Sequence, residues 1–234
     1  MKKIEFSFKN KNVLITGGSR GIGKQISNDF KNLGANVFSV STKNYDLSNE
    51  NEIKKLLEYI KSQNKIDILI NNAGINYSEL NKNFNLERFN KLFDINIKSL
   101  FLITKAVSKK MIKNKSGRII NIASIAASRV REGRSAYSTS KFGVIGFTKT
   151  ISVELAKYNI LVNSVSPGFI NTEMTRHMLS NKEINKLISQ VPMKRLGKTK
   201  DISNSVLFLC SELNTFITGH DLIVDGGFLG SVNV

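Results

Sequence analysis

Cysteine is almost missing from this chain. Cys210 is the only one in 234 residues, which excludes an intramolecular disulfide framework and any cysteine-based metal cluster within one chain. Histidine is nearly as scarce: His177 and His220 leave a histidine-rich site short of ligands, so no metal is expected. There are two prolines and no tryptophan. With 41% hydrophobic and 23% charged residues, the balance is that of a globular protein, and collagen-like, proline-rich and most disordered classes are excluded. Long apolar runs are absent as well; the stretches present are strand-sized and too short for a membrane span. The opening Met1-Lys2-Lys3-Ile4-Glu5-Phe6 lacks the apolar run and small-residue cleavage site of a secretory signal. A soluble, cytoplasmic protein with no membrane partner is the expectation.

Acidic residues are in deficit. Against 35 Lys and Arg stand 18 Asp and Glu, a formal charge of +17. Such a charge attracts nucleic acid, acidic proteins and phosphorylated substrates alike. Here it is spread along the chain, with no basic arm and no zinc-finger spacing, so nucleic acid is not the expected partner.

What is present is an alternation of short apolar runs with longer periodic ones. Strands are predicted at 13–15, 37–40, 66–71, 118–122, 160–165 and 222–224. Helices are predicted at 21–33, 51–61, 89–112, 137–157 and 202–210, the first with Ile22, Ile26, Phe30 and Leu33 on one face. Strands apolar on both faces, separated by helices, predict a parallel sheet covered on both sides. The expectation is one doubly wound, Rossmann-type α/β domain over 1–234, with no linker or repeat. One place is short: about eleven residues lie between Gly34 and Asp46, too few for a comfortable helix and strand. Either the third strand is very short or one crossover helix is missing.

Thr16-Gly17-Gly18-Ser19-Arg20-Gly21-Ile22-Gly23 follows the first strand and opens the first helix. Glycines there allow a tight turn and let backbone and helix N-terminus approach a pyrophosphate. The next strand ends in Ser41-Thr42-Lys43, where an acidic residue would hold the ribose hydroxyls of NAD. No carboxylate repels a 2′-phosphate, and Arg20 and Lys43 are placed to bind one. NADP(H) is therefore preferred over NAD(H). Further on, Tyr137 and Lys141 stand four apart on a helix, hence on one face. A lysine ammonium beside a phenol is expected to favour the phenolate.

With these motifs the chain resembles the classical short-chain dehydrogenase/reductases. The likeness also rests on Asn71-Asn72-Ala73-Gly74, Asn96, Ser124, Tyr137-Ser138-Thr139-Ser140-Lys141 and Pro167-Gly168, and runs from about residue 11 to 227. Within that family it looks most like the 3-oxoacyl-acyl-carrier-protein reductases, through the stretches 167–175, 191–197 and 217–227. The resemblance implies NADPH-dependent reduction of a 3-oxoacyl thioester to the (3R)-3-hydroxyacyl form in fatty-acid synthesis, with pro-S hydride transfer. Another NAD(P)-dependent dehydrogenase or ketoreductase, acting on an anionic sugar, a polyol, a steroid or another small alcohol or ketone, stands as the alternative. It implies Tyr137 as acid and base, Lys141 on the nicotinamide ribose, Ser124 on the substrate oxygen and Asn96 on a relay water. For the cofactor it implies Gly17, Ser19, Arg20, Gly21, Ile22, Gly23, Thr42, Lys43, Asp46, Leu47, Asn72, Ala73, Gly74, Tyr137, Lys141, Pro167, Gly168, Ile170 and Thr172.

Between Ser124 and Tyr137 lie Arg129, Arg131 and Arg134, where close relatives have small or apolar residues. They suggest an anionic partner at the substrate mouth: acyl carrier protein, its phosphopantetheine arm or a small anion. A lid over about 174–195 is implied, with Met178 against substrate. A homotetramer is implied too, paired through helices rich in Phe93, Phe101, Phe142, Ile145 and Phe147, with the 228–234 tail at another interface.

Overall fold

The structure is a computed structural model that describes residues 6–178 and 180–231, without the side chains of Met174, His177 and Met178. Six parallel strands form one sheet in the order β2-β1-β3-β4-β5-β6: β1 Asn12–Thr16, β2 Asn36–Val40, β3 Ile68–Asn71, β4 Gly117–Ile122, β5 Ile160–Pro167 and β6 Asp221–Val224. Alternate side chains go to opposite faces of each strand. Leu14, Leu69, Ile119 and Val162 point to the face covered by helices α2 (Glu50–Ser62), α4 (Ser99–Asn114) and α5 (Ser135–Ala156). Val13, Ile15, Ile70, Ile120 and Val165 point to the face covered by α1 (Gly21–Asn32) and α8 (Thr199–Cys210). This is the doubly wound domain expected. Among the described residues, no helix is long and apolar enough to cross a membrane.

The short region resolves in favour of a missing crossover. After β2 the chain makes a tight turn in which Asn44 Oδ1 accepts from Ser41 N at 2.7 Å and Asn44 Nδ2 donates to the Ser39 carbonyl at 3.0 Å. Asn49 then caps α2, accepting from Asn51 N and Glu52 N, and the chain proceeds directly to β3. No strand pairs beyond β2 among the described residues, so β2 is an edge. Tyr59 of α2 stacks on Phe38 of β2 with ring centroids 4.2 Å apart, closing the connection with aromatic packing.

Two predicted elements change. The strand at 66–71 pairs only from Ile68. The long helix at 89–112 begins earlier, as α3 (Leu86–Phe93), and passes through a π-helical turn at Asp94–Lys98 before α4. That wider turn carries Asn96. Such turns rotate the face a helix presents and recur at functional sites.

The strand register aligns Thr16, Asn71, Asn121 and Ser164 in one row near the carboxyl ends of β1, β3, β4 and β5. The loops that follow these strands therefore open on the same edge, beside the switch point where the chain crosses from β2 back over β1 to β3.

Candidate active site

Four side chains converge at that edge. Tyr137 and Lys141 project from the first two turns of α5, and Lys141 Nζ lies 5.7 Å from the centre of the Tyr137 ring. Lys141 is buried and its Nζ donates to the Ile122 carbonyl at 2.8 Å. Burial pushes this ammonium down to about 8. Ser124, just after β4, accepts from Ala126 N at 3.1 Å, and its hydroxyl acts to lower the Tyr137 phenol. Asn96 closes the site from the π turn. Its Oδ1 accepts from Ile75 N at 2.9 Å, and its Nδ2 donates to the Ile75 carbonyl and to Ser140 Oγ, both at 3.0 Å. Gly74 lies between them: a Cβ there would be in ordinary contact, 3.5 Å, with both Asn96 Oδ1 and Lys141 Nζ.

The expected lowering of the Tyr137 phenol is corrected here. Desolvation dominates and raises it; the Ser124 hydrogen bond and the Arg134 charge pull in the other direction without winning. The physical reason is the partial burial of the phenol, beside which the Lys141 ammonium stands 5.7 Å from the ring centre.

A second cluster surrounds the start of α1. Thr16 Oγ1 accepts from Asn72 N and Ala73 N, and Asn72 Nδ2 donates to the carbonyls of Thr16 and Gly17, each at 3.0 Å. These bonds lock the loop after β1 to the loop after β3. A side chain at Gly23 would collide with the Gly17 carbonyl and the Asn72 amide, so the turn closes only with glycine there. Gly21, at a φ of +54°, is open instead, with Thr172 Cγ2 across from its missing Cβ at 3.7 Å. Arg20 is the N-cap of α1 but its side chain makes no capping bond, and no acidic residue stands in the first turn. The amide groups there remain available for an anion. A dinucleotide pyrophosphate fits this cradle by close backbone approach and by charge.

The family model described as Enoyl-(Acyl carrier protein) reductase matches residues 39–229. A 3-oxoacyl-[acyl-carrier-protein] reductase of Buchnera aphidicola is 39% identical over 234 residues, covering 92% of this chain and 95% of the relative. The chain belongs to the short-chain dehydrogenase/reductase family. Among solved structures, ElxO with NADP bound superposes with a TM-score of 0.85 at 34% identity, over 95% of this chain and 100% of that one. A gluconate 5-dehydrogenase from Burkholderia cenocepacia in complex with NADP and tartrate does so with a TM-score of 0.88 at 25% identity, over 97% and 98%.

Within this short-chain dehydrogenase/reductase frame, the remaining expected positions separate by location. Ser19, Arg20, Thr42 and Lys43 are exposed on the loops after β1 and β2. Asp46 sits below them, its Oδ1 accepting from Ser48 N and Oγ, bonds that hold the carboxyl below its usual range. The Leu47 side chain is buried in the core. Ile22 is half-buried against the α1/α8 core. On the opposite side, Gly168 N donates to the Val224 carbonyl at 2.9 Å, fixing the bend after Pro167. Ile170 is buried, with its carbonyl accepting from Thr175 Oγ1 at 2.7 Å, and Thr172 Oγ1 lies 3.1 Å from Thr175 Oγ1.

The three arginines of the mouth do not converge. Arg129 stacks over the Phe228 ring at 4.5 Å, so it has a packing role. Arg131 is exposed and close enough to Glu183 to lower that carboxyl. Arg134 is half-buried, with its Nη1 reaching the Tyr77 carbonyl at 3.5 Å. The Met178 side chain and residue 179 lie outside the described residues.

Several positions escaped the sequence reading. Asn71 Nδ2 donates to Thr104 Oγ1 and Asn121 Oδ1, and Asn121 Nδ2 donates to Thr148 Oγ1, at 3.0, 2.8 and 2.9 Å. This buried ladder ties β3 and β4 to α4 and α5, the helices that flank the site. The available signal was an asparagine inside each of two apolar strands, a placement that requires a partner.

Proposed function

We propose that this chain is an NADPH-dependent reductase of 3-oxoacyl groups carried on acyl carrier protein, yielding the (3R)-3-hydroxyacyl thioester. The observation that carries the reading is the Ser124 hydroxyl near enough to the Tyr137 phenol to draw its pKa down, with the buried Lys141 ammonium over the phenol ring. Two hydroxyl donors aimed at one point suit a carbonyl oxygen that gains negative charge. They favour carbonyl over carbon–carbon double-bond reduction, although the matching family model carries an enoyl-reductase description.

When bound, the dinucleotide supplies a hydride, here assigned as pro-S, to the carbonyl carbon. Tyr137 gives the phenolic proton to the oxygen as charge develops. Its raised pKa serves this direction, because the phenol stays protonated at neutral pH. Ser124 hydrogen-bonds the same oxygen. Lys141, still an ammonium below about 8, stabilises the phenolate left behind and holds the nicotinamide ribose. Both amide protons of Asn96 are committed, so a relay water meets Asn96 at an oxygen.

Gly17, Gly21, Gly23, Ser19 and Ile22 cradle the pyrophosphate; Arg20, Thr42 and Lys43 take the 2′-phosphate. Asp46, the Leu47 backbone, Asn72, Ala73 and Gly74 line the adenosine side, and Pro167, Gly168, Ile170 and Thr172 the nicotinamide side. Helices α6 (Glu173–Met178) and α7 (Asn181–Gln190) form the lid. The reciprocal Ser180–Glu183 capping box and buried Leu187 support α7 as a body that moves as a unit. Arg131 and Arg134 face the anionic arm or carrier. A second reading, a small anionic alcohol or ketone, is favoured by the NADP and tartrate complex of a relative together with these arginines.

Chiral analysis of the product from 3-oxobutyryl-carrier protein and NADPH tests the proposal. The (3R)-hydroxy product is expected. Saturation of a crotonyl-carrier protein with no action on the 3-oxo compound would overturn it.

A further inference from the structure

Ser140 stands wholly buried one residue before Lys141 and takes no part in the proton transfer described above. Its Oγ donates to the Tyr137 carbonyl at 2.7 Å, one turn back along α5. A hydroxyl has a single proton to give, so toward Asn96 Nδ2, 3.0 Å away, the same oxygen acts as acceptor. A serine bonded back along its own helix gains that helix little. The bond that calls for a reason is the other one, which leaves α5 and reaches the π turn.

Asn96 is otherwise tied to the segment after β3. Its Oδ1 accepts from Ile75 N at 2.9 Å, and its second amide proton goes to the Ile75 carbonyl at 3.0 Å. Those two bonds set which way the amide faces, but neither reaches α5. Among the described residues, Ser140 is the hydrogen-bond partner that joins this amide to the helix carrying Tyr137 and Lys141. Next to it, Lys141 Nζ is fastened to the Ile122 carbonyl of β4 at 2.8 Å. One turn of α5 is thus held on two supports, the π turn and the end of β4. The Asn96 oxygen and the Lys141 ammonium share one space between them, each 3.5 Å from the point where a Gly74 Cβ would stand.

We propose that Ser140 is a positioning residue that fixes the Asn96 amide against the Tyr137–Lys141 turn, and with it the gap across which a relay water is held. The inference rests on Asn96, Tyr137 and Lys141 acting as read above. In this role Ser140 works through Asn96 and needs no contact with substrate or cofactor. Its loss has a defined consequence. Without the hydroxyl, a buried N–H of Asn96 has no acceptor, and the amide relieves that cost by shifting or by admitting water. Either response alters the gap between Asn96 and Lys141. The glycine cradle stands on the loops after β1 and β3, held by the bonds of Thr16 and Asn72, and is left intact. The signature is slower proton transfer with ordinary cofactor binding.

Two measurements on the full chain test it. For reduction of ethyl acetoacetate, a 3-oxo compound that needs no carrier, Ser140→Ala is expected to lower kcat about tenfold with the KM for NADPH within about twofold. Threonine keeps the hydroxyl and makes the same backward bond in a helix, so Ser140→Thr is expected to recover most of the rate. In NMR spectra without cofactor or substrate, the Asn96 side-chain amide is the pair missing from Asn96→Asp. Its protons are expected to exchange with solvent about tenfold faster in Ser140→Ala than in the parent. A parent kcat in Ser140→Ala, a loss confined to KM, or equal losses in the alanine and threonine variants would overturn the proposal. Unchanged amide exchange would also overturn it. A parent chain that reduces neither ethyl acetoacetate nor the carrier thioester would sink the reaction read above, and the amide exchange would then decide this inference by itself.

Discussion

Lys141 holds an ammonium where water does not reach, with one hydrogen bond from the protein to compensate. Its shift from the ordinary lysine value to about 8 corresponds to a stability cost of about 3 kcal/mol. The folded-state pKa is depressed, and the unfolded chain binds the proton more tightly. The cost is therefore full below about pH 8 and fades as pH rises toward the ordinary lysine range. Lys141→Met is expected to raise the denaturation midpoint at pH 7 by the equivalent of about 2 kcal/mol, after the orphaned Ile122 carbonyl is counted. The gain should shrink toward pH 10, and turnover should be lost at every pH. Tyr137→Phe should leave folding unchanged and lower turnover by about a thousandfold or more, read from steady-state rates. At this scale Ser124, Tyr137 and Lys141 were legible because their spacing is local. Their energetics were not: the net direction of the phenol depends on burial by parts of the chain distant in sequence. The packing of Arg129 on Phe228 spans ninety-nine positions and left no local trace.

Elements join by contacts that have their own signatures. Helices α1 and α8 are clamped by Asp29, whose carboxyl accepts from Lys200 at 2.7 Å, Ser203 at 2.6 Å and Gln25 at 3.1 Å. Burial raises this carboxyl, but the combined hydrogen bonds and the Lys200 charge bring it below its usual value. A depressed carboxyl stabilises the fold above its unfolded pKa, near 4, and that contribution disappears as pH falls through the folded value. Asp29→Asn should cost about 2 kcal/mol by urea denaturation at pH 7, with the difference from the parent narrowing below about pH 4. The glycine turn gives a separate result: Gly23→Ala should weaken NADPH binding at least tenfold by forcing the Gly17 carbonyl and Asn72 aside. Alternating apolar runs made the sheet and most helices legible. The π turn at Asp94–Lys98 was hidden, because one extra residue in a helical turn scarcely disturbs a 3.6-residue period. The missing crossover after β2 was visible as a shortage of residues, while the turn that replaces it depends on the particular bonds of Asn44.

At the scale of the whole molecule, apolar surface stays uncovered on one chain. Phe101 of α4 and Phe142 of α5 are each about half exposed, and Phe216 beside β6 is almost wholly so. Phe93, Ile145 and Phe147 are half-buried. We propose that these surfaces pair copies of the chain in a homotetramer through α4 and α5. Sedimentation should give a four-chain species that Phe101→Glu with Phe142→Glu dissociates; a monomeric parent chain would contradict this. The same molecule carries a charge of +17, which favours an acidic macromolecular substrate by long-range attraction and predicts rates that fall with salt. Initial-rate oxidation of NADPH with acetoacetyl-acyl carrier protein, run beside NADH and beside acetoacetyl coenzyme A, tests the proposed substrate and cofactor most directly. Strong preference for NADPH and for the carrier-bound substrate is the predicted result. A folded protein that binds NADPH, reduces another ketone and leaves both thioesters untouched would contradict it.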